Sequence, residues 1–152
     1  MSLSAKNLQQ NKIKKENKTM NKTYTIKESS NLTRIEEYQL TVNPDITAFK
    51  EADGTVIDLG AWCIYETETN GENVTVLAIQ DKNTGECYSG MSAYFIESFK
   101  QIMSIMDSGD IAEHIYIKIV AGKSKKGRRF TNCALSNENA YMNQSAENPF
   151  ND

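Results

Sequence analysis

The sequence predicts a mainly β fold: a barrel of five strands, one helix between the third and fourth strands, and flexible tails at both ends. Three observations carry this. Short β-branched and aromatic runs recur between turn signals over residues 60–135. One amphipathic stretch interrupts them. Both termini are polar and have no sustained apolar period. The chain therefore divides into a basic flexible arm over 1–22, a folded domain over 23–136 with its core at 60–135, and a flexible polar tail over 137–152.

Upstream of the core, Tyr24 and Ile26, then Ile35, Tyr38, Leu40 and Val42 alternate loosely, and Tyr38–Val42 reads as an extra strand. Asn43 and Pro44 break it, and residues 45–60 read as connection with a turn at Asp53-Gly54. Ala61–Thr69 is the first barrel strand. Asn70-Gly71 is a strong hairpin signal, and Val74–Gln80 follows as the second strand. A turn over Asp81–Gly85 leads to the third, Glu86–Met91. Ser92 suits a helix N-cap. Phe95, Ile96, Phe99, Ile102, Met103 and Met106 then form one apolar stripe at helical spacing, which Asp107, Ser108 and Gly109 end. In His114–Ala121, Ile115, Ile117 and Ile119 alternate with Tyr116, Lys118 and Val120, the mark of a half-buried strand. Gly122–Gly127 is a basic loop, and Arg128–Leu135 is the last strand. Three hairpin-linked strands, a helix and a final hairpin follow the order of the five-stranded OB barrel.

The net charge of −3 conceals segregation. Residues 1–27 hold seven lysines and one acid, and residues 118–129 hold six basic residues and no acid. Between them, residues 28–117 hold four basic residues against sixteen acids. An acidic body repels a polyanion over most of its surface, while two local basic segments attract one. No apolar run approaches the roughly 18 residues that cross a bilayer, and none follows the N-terminal lysines as in a signal peptide. The expectation is a cytoplasmic protein without membrane contact. Cys63, Cys87 and Cys133 are odd in number and widely spaced, so free buried thiols are expected.

Catalytic patterns are absent. His114 is the single histidine, with no evident partner for acid–base work. No nucleophile elbow, phosphate-cradling glycine loop or metal-ligand cluster is present. Glu66 and Glu68 share a strand face, where a solvated surface outweighs a cation site. No enzyme activity, cofactor or metal is expected.

The informative feature is the basic hairpin. Lys118, Lys123, Lys125, Lys126, Arg128 and Arg129 lie between Tyr116 and Phe130. In an OB barrel this loop joins strands four and five and borders the oligonucleotide groove. Cations neutralise phosphates, and aromatic faces stack bases, each stack contributing roughly 1–3 kcal/mol. Tyr116 and Lys118 share a face opposite the inward isoleucines. Glycines 122 and 127 would let the loop lie close to the phosphate backbone. Trp62, Tyr65, Tyr88 and Tyr94 are further aromatics. Trp62 and Tyr65 point to opposite faces, with Tyr65 favoured for the groove and Trp62 for capping the core. The candidate nucleic-acid residues are thus Tyr65, Tyr88, Tyr116, Lys118, Lys123, Lys125, Lys126, Arg128, Arg129 and Phe130.

In element order, and in the stretch Ile115-Tyr-Ile-Lys-Ile-Val-Ala-Gly-Lys-Ser-Lys-Lys-Gly-Arg-Arg-Phe130, the chain resembles the OB-fold single-stranded DNA-binding proteins. More narrowly it resembles those of Gram-positive conjugative plasmids, the PrgE type, whose source the Lys- and Asn-rich composition fits. The resemblance implies sequence-nonspecific binding of single-stranded DNA in plasmid conjugation or replication. It also implies assembly along the strand, with the N-terminal arm tying the subunits of a homo-oligomer. Housekeeping bacterial relatives end in an acidic tip closing on Pro-Phe. Here Pro149-Phe150 is followed by Asn151-Asp152 with little acid before it, so partner recruitment through the tip is not implied. The alternatives are a protein-interaction module of a larger assembly and an RNA-binding OB domain, since the fold hosts both.

Overall fold

The computed structural model describes residues 23–106 and 114–147. The arm over 1–22, the predicted helix end at 107–109 and the tip at 148–152 lie outside the described residues.

Among the described residues the fold is mainly β, a curled half-barrel sheet with three α-helices. Its strands are β1 (Thr25–Ser29), β2 (Thr47–Ala48), β3 (Val56–Thr69), β4 (Glu72–Asp81), β5 (Cys87–Gly90), β6 (Tyr116–Lys123) and β7 (Arg129–Leu135). Its helices are α1 (Arg34–Thr41), α2 (Ala93–Met106) and α3 (Glu138–Glu147), with a 3-10 turn at Phe49–Glu51. The sheet order is β2-β5-β4-β3-β6-β7, with β1 also paired to β3. The five predicted strands correspond to β3–β7, and β1 and β2 raise the count to seven.

β3 organises the sheet. Its first residues pair with β6 (Ile57 with Ile117), and its second half pairs with β4 on one side and β1 on the other. A bulge between Leu59 and Trp62 inserts one residue against β4 and reverses which side chains face inward. Gly60 sits in that bulge, where a Cβ would come within 3.1 Å of the Lys82 Cα and 3.2 Å of the Gln80 carbonyl. The bulge lets one long strand serve both sides of the curl.

Two apolar clusters flank the sheet. Inside the curl, Ile57, Leu59, Ile64, Leu77, Ile79, Ile117 and Ile119 meet Phe95 and Phe99 of α2. Phe49 stacks on Phe95 at 3.8 Å, and Trp62 packs edge-on against Phe99 at 5.2 Å, so Trp62 caps this core. On the outer face, Ala61, Cys63, Tyr65, Val76, Ala78 and Cys87 are covered by Leu40 of α1 and by Tyr24 and Ile26. All three cysteines are free and buried. Burial pushes the thiols of Cys63 and Cys133 up to about 12.

Three expectations are corrected. Tyr38–Val42 is not a strand but the end of α1, because Thr33 and Glu36 form a capping box. The Glu36 amide donates to Thr33 Oγ1 at 3.2 Å, and the Thr33 amide donates to Glu36 Oε1 at 2.9 Å. The extra strand upstream is instead β1, which pairs with the second half of β3. β3 starts at Val56 rather than Ala61, taking in the end of the predicted connection. In the polar C-terminal stretch, Glu138–Glu147 is a helix rather than a flexible tail. It is docked by polar contacts. The Gln144 side chain accepts from the Val56 amide at 2.9 Å and donates to the Val56 carbonyl at 2.6 Å.

Candidate nucleic-acid interface

The β6–β7 hairpin is a short, locked turn. The Gly127 amide donates to the Ser124 carbonyl at 2.9 Å, and the Ser124 amide donates to the Arg128 carbonyl at 2.8 Å. Gly127 has φ of 81°, a left-handed conformation that residues with a Cβ adopt at a cost. Its role is therefore to close the turn. Gly122 lies on β6 beneath the Phe130 ring, where a Cβ would meet ring carbons at 3.4 Å. These are the places of the two glycines expected to bring the loop close to phosphates.

Lys123, Lys125, Lys126, Arg128 and Arg129 are exposed. None of them forms an ion pair among the described residues, in contrast to Lys27 with Glu66, Lys100 with Glu28 and His114 with Asp58. Phe130 is 44 % exposed at the root of the turn. These six residues are brought together.

The other candidates are dispersed. Lys118 is exposed on the outer face of β6, beside Tyr116. Tyr116 lies seven residues from Lys123, about 23 Å along a strand. Its ring stacks on His114 at 5.7 Å and packs against Tyr141 of α3 at 5.5 Å. Tyr88 lies in the inner core, and its hydroxyl donates to Glu86 Oε2 at 2.8 Å. Tyr65 is buried on the outer face, its ring 5.7 Å from that of Tyr24. Burial pushes the Tyr65 hydroxyl up to about 12.

The sheet path runs from β2, which pairs with β5, to β7, and among the described residues these two ends are not paired with one another and leave a seam. Ser92 ties the seam. Its hydroxyl donates to the Thr131 carbonyl at 3.2 Å and accepts from the Phe95 amide at 3.2 Å, so the cap of α2 also anchors the hairpin strand. Near the seam lies a cavity of about 470 Å³ whose walls include Tyr24, Lys50, Tyr65, Thr67, Met91 and Thr131. Tyr24, Lys50, Thr67 and Met91 are not among the residues expected at a site, and the fold brings them to this cavity. The alternation of Tyr24 with Ile26 was the one signal available. Tyr94, in the first turn of α2, is 80 % exposed.

His114 has the partner that its isolation in the sequence hid. Its Nδ1 donates to Asp58 Oδ2 at 2.8 Å, and Asp58 is buried. Among the described residues no cluster of three or more His, Cys, Asp or Glu side chains is arranged to hold a metal ion, and no helix is long and apolar enough to cross a membrane.

A hairpin of cations unpaired among the described residues, with the exposed Phe130 at its root, on a curled sheet with acids elsewhere, is an arrangement that suits single-strand binding on an OB-type sheet. The model of the family described as "Phage Single-stranded DNA-binding protein", the phi29 type, matches residues 41–136. The chain belongs to that family. It is a family of binding proteins rather than enzymes, and its partner is single-stranded DNA. The matched span holds β2–β7, α2 and the whole basic hairpin, and leaves β1, most of α1 and α3 outside it. No curated protein and no solved structure matches the chain.

Proposed function

We propose that this protein binds single-stranded DNA without sequence preference, holding phosphates on the Lys123–Arg129 hairpin and stacking bases on the aromatic rings beside it. One observation carries the reading: five exposed cations within seven residues, none paired with a carboxylate among the described residues. Like charges so crowded repel one another, and a polyanion relieves that repulsion while releasing its own counterions. The acidic body confines the strand to a track along the hairpin. Phe130 and Tyr94 offer exposed rings to unstacked bases, and every base presents a π-face, so stacking is tolerant of sequence. Lys118, with Tyr116 beside it, extends the track down the outer face of β6.

The setting is the replication or conjugative transfer of a mobile DNA element, where single strands are exposed, as in the plasmid proteins of the PrgE type. The subunits assemble along the strand through the basic N-terminal arm. No catalytic step is part of the function.

The test is a fluorescence-anisotropy titration of the full chain with labelled oligo-dT at two salt concentrations, with RNA of matched sequence as competitor. Micromolar or tighter binding that weakens with salt and resists the RNA competitor is expected. No binding at concentrations on the order of tens of micromolar would favour a protein-interaction module instead.

A further inference from the structure

The cavity beside the seam has a feature that packing alone does not explain. Thr67 is 93 % removed from solvent, and its hydroxyl has no hydrogen-bond partner among the described residues. It projects from the outer face of β3, two residues beyond Tyr65 in the same alternating row, and it lines the cavity. A buried hydroxyl without a partner is uncommon in folded proteins, because its desolvation is then uncompensated. A valine there would fill the same volume without that penalty.

The other walls suit a flat, partly polar guest. The rings of Tyr24 and Tyr65 stand 5.7 Å apart at 54° and form an aromatic corner. Lys50 is exposed and contributes a cation to the same wall. Thr131 connects the cavity to the basic hairpin, since on β7 Arg129 lies two residues from it on the same strand face. The volume of about 470 Å³ falls within the range of small-ligand sites.

We propose that this cavity takes one nucleobase turned out of the bound single strand, with the base against the Tyr24–Tyr65 corner, Thr67 Oγ1 hydrogen-bonded to its edge, and Lys50 near the adjoining phosphate. The proposal rests on the reading that the chain binds single-stranded DNA. A rotating hydroxyl both donates and accepts, so it serves any base and leaves binding tolerant of sequence. The Tyr65 hydroxyl stays protonated at neutral pH and adds a donor to the same wall. Tyr24 precedes the span matched by the family, so the aromatic corner joins a residue outside that span to the barrel.

The experiment uses the full chain, oligo-dT, and an abasic oligomer of equal length. Thr67→Val should weaken oligo-dT binding roughly three- to tenfold, the scale of one neutral hydrogen bond, and leave abasic binding unchanged. Thr67→Ser, which restores the hydroxyl, should recover most of the affinity. In the wild type, oligo-dT carrying 5-iodouracil should photocross-link to Tyr24 or Tyr65. That arm needs no variant to fold. Two results overturn the proposal while leaving DNA binding intact: Thr67→Val binding oligo-dT as tightly as the wild type, or cross-links that avoid both tyrosines. A wild type that fails to bind oligo-dT at all removes the underlying reading as well.

Discussion

The two ends of β6 are built on opposite principles. At the Lys123 end, five cations stand exposed with no carboxylate partner among the described residues. At the Tyr116 end, charge is buried and tied. Asp58 Oδ2 accepts from His114 Nδ1 at 2.8 Å and from Asn83 Nδ2 at 3.1 Å. Asp81 Oδ1 accepts from the amides of Asn83 and Thr84 and from the Tyr141 hydroxyl, at 2.8, 2.9 and 3.0 Å. Asp81 Oδ2 also accepts from the Asp58 amide at 3.2 Å. The polar knot joins β3, the end of β4 and the turn to β5, His114 two residues ahead of β6, and α3. Asp81, hydrogen-bonded through both oxygens, and Asp58, bonded through Oδ2 while its Oδ1 has no partner among the described residues, serve the fold, while crowded exposed cations destabilise a hairpin slightly and serve a ligand. Stability and binding should therefore separate along one strand.

The largest expected effect on stability is at the knot. Asp58→Ala removes the acceptor of His114 and Asn83 and should cost about 3 kcal/mol, lowering Tm by roughly 6–12 °C in calorimetry. Affinity for oligo-dT at 25 °C should change by less than about twofold. A parallel loss of affinity would break the separation. At the other end, Gly127→Ala forces a Cβ into the left-handed region and should cost about 1–2 kcal/mol. Because it distorts the turn that spaces the cations, it should also weaken DNA binding by roughly threefold, readable in the same anisotropy titration.

Tyr141→Phe is the mildest change. It deletes one hydroxyl from the knot and should cost about 1 kcal/mol, with no effect on DNA binding. It also sharpens a pH prediction. Burial, together with Asp81 and Asp58 nearby, holds the Tyr141 hydroxyl above its ordinary value of 10. The unfolded chain therefore loses that proton first as pH rises. The stabilisation is full below about pH 10 and is lost as pH climbs through the higher folded value. Far-ultraviolet melts above pH 10 should show the wild type losing more stability than Tyr141→Phe.

Much of the barrel was legible because its periods are unambiguous. The isoleucines at 115, 117 and 119 could belong only to a half-buried strand, and Ser92 with the Phe95–Phe99 stripe could belong only to a capped helix. Asn70-Gly71 forms its turn with φ of 54° and 82°. The misses have physical reasons. In α1, Tyr38, Leu40 and Val42 mimic strand alternation, yet Leu40 is fully buried while Tyr38 and Val42 are half exposed, and the capping box at Thr33 was the contrary signal. The start of β3 was hidden by Asp58, a buried acid in an apolar run whose partner His114 lies 56 residues away. α3 has no apolar stripe, and side-chain amide and hydroxyl bonds hold it, which no periodicity reports. For the site, the basic hairpin was visible because its residues are contiguous. The cavity was not, because Tyr24, Lys50, Thr67 and Met91 meet only through the fold.

The most direct test of the account is the salt dependence of binding. The slope of log K against log salt concentration counts the phosphates neutralised, at about 0.7 per contact for a single strand. A chain using its hairpin cations should show a slope of roughly −2 to −4 with oligo-dT. Replacing Lys123, Lys125, Lys126, Arg128 and Arg129 together with Ala should weaken binding, remove most of that slope while leaving the part due to Lys118 and Lys50, and leave Tm within a few degrees. A variant that keeps both the wild-type slope and the wild-type affinity would contradict the assignment of the hairpin as the DNA-binding element.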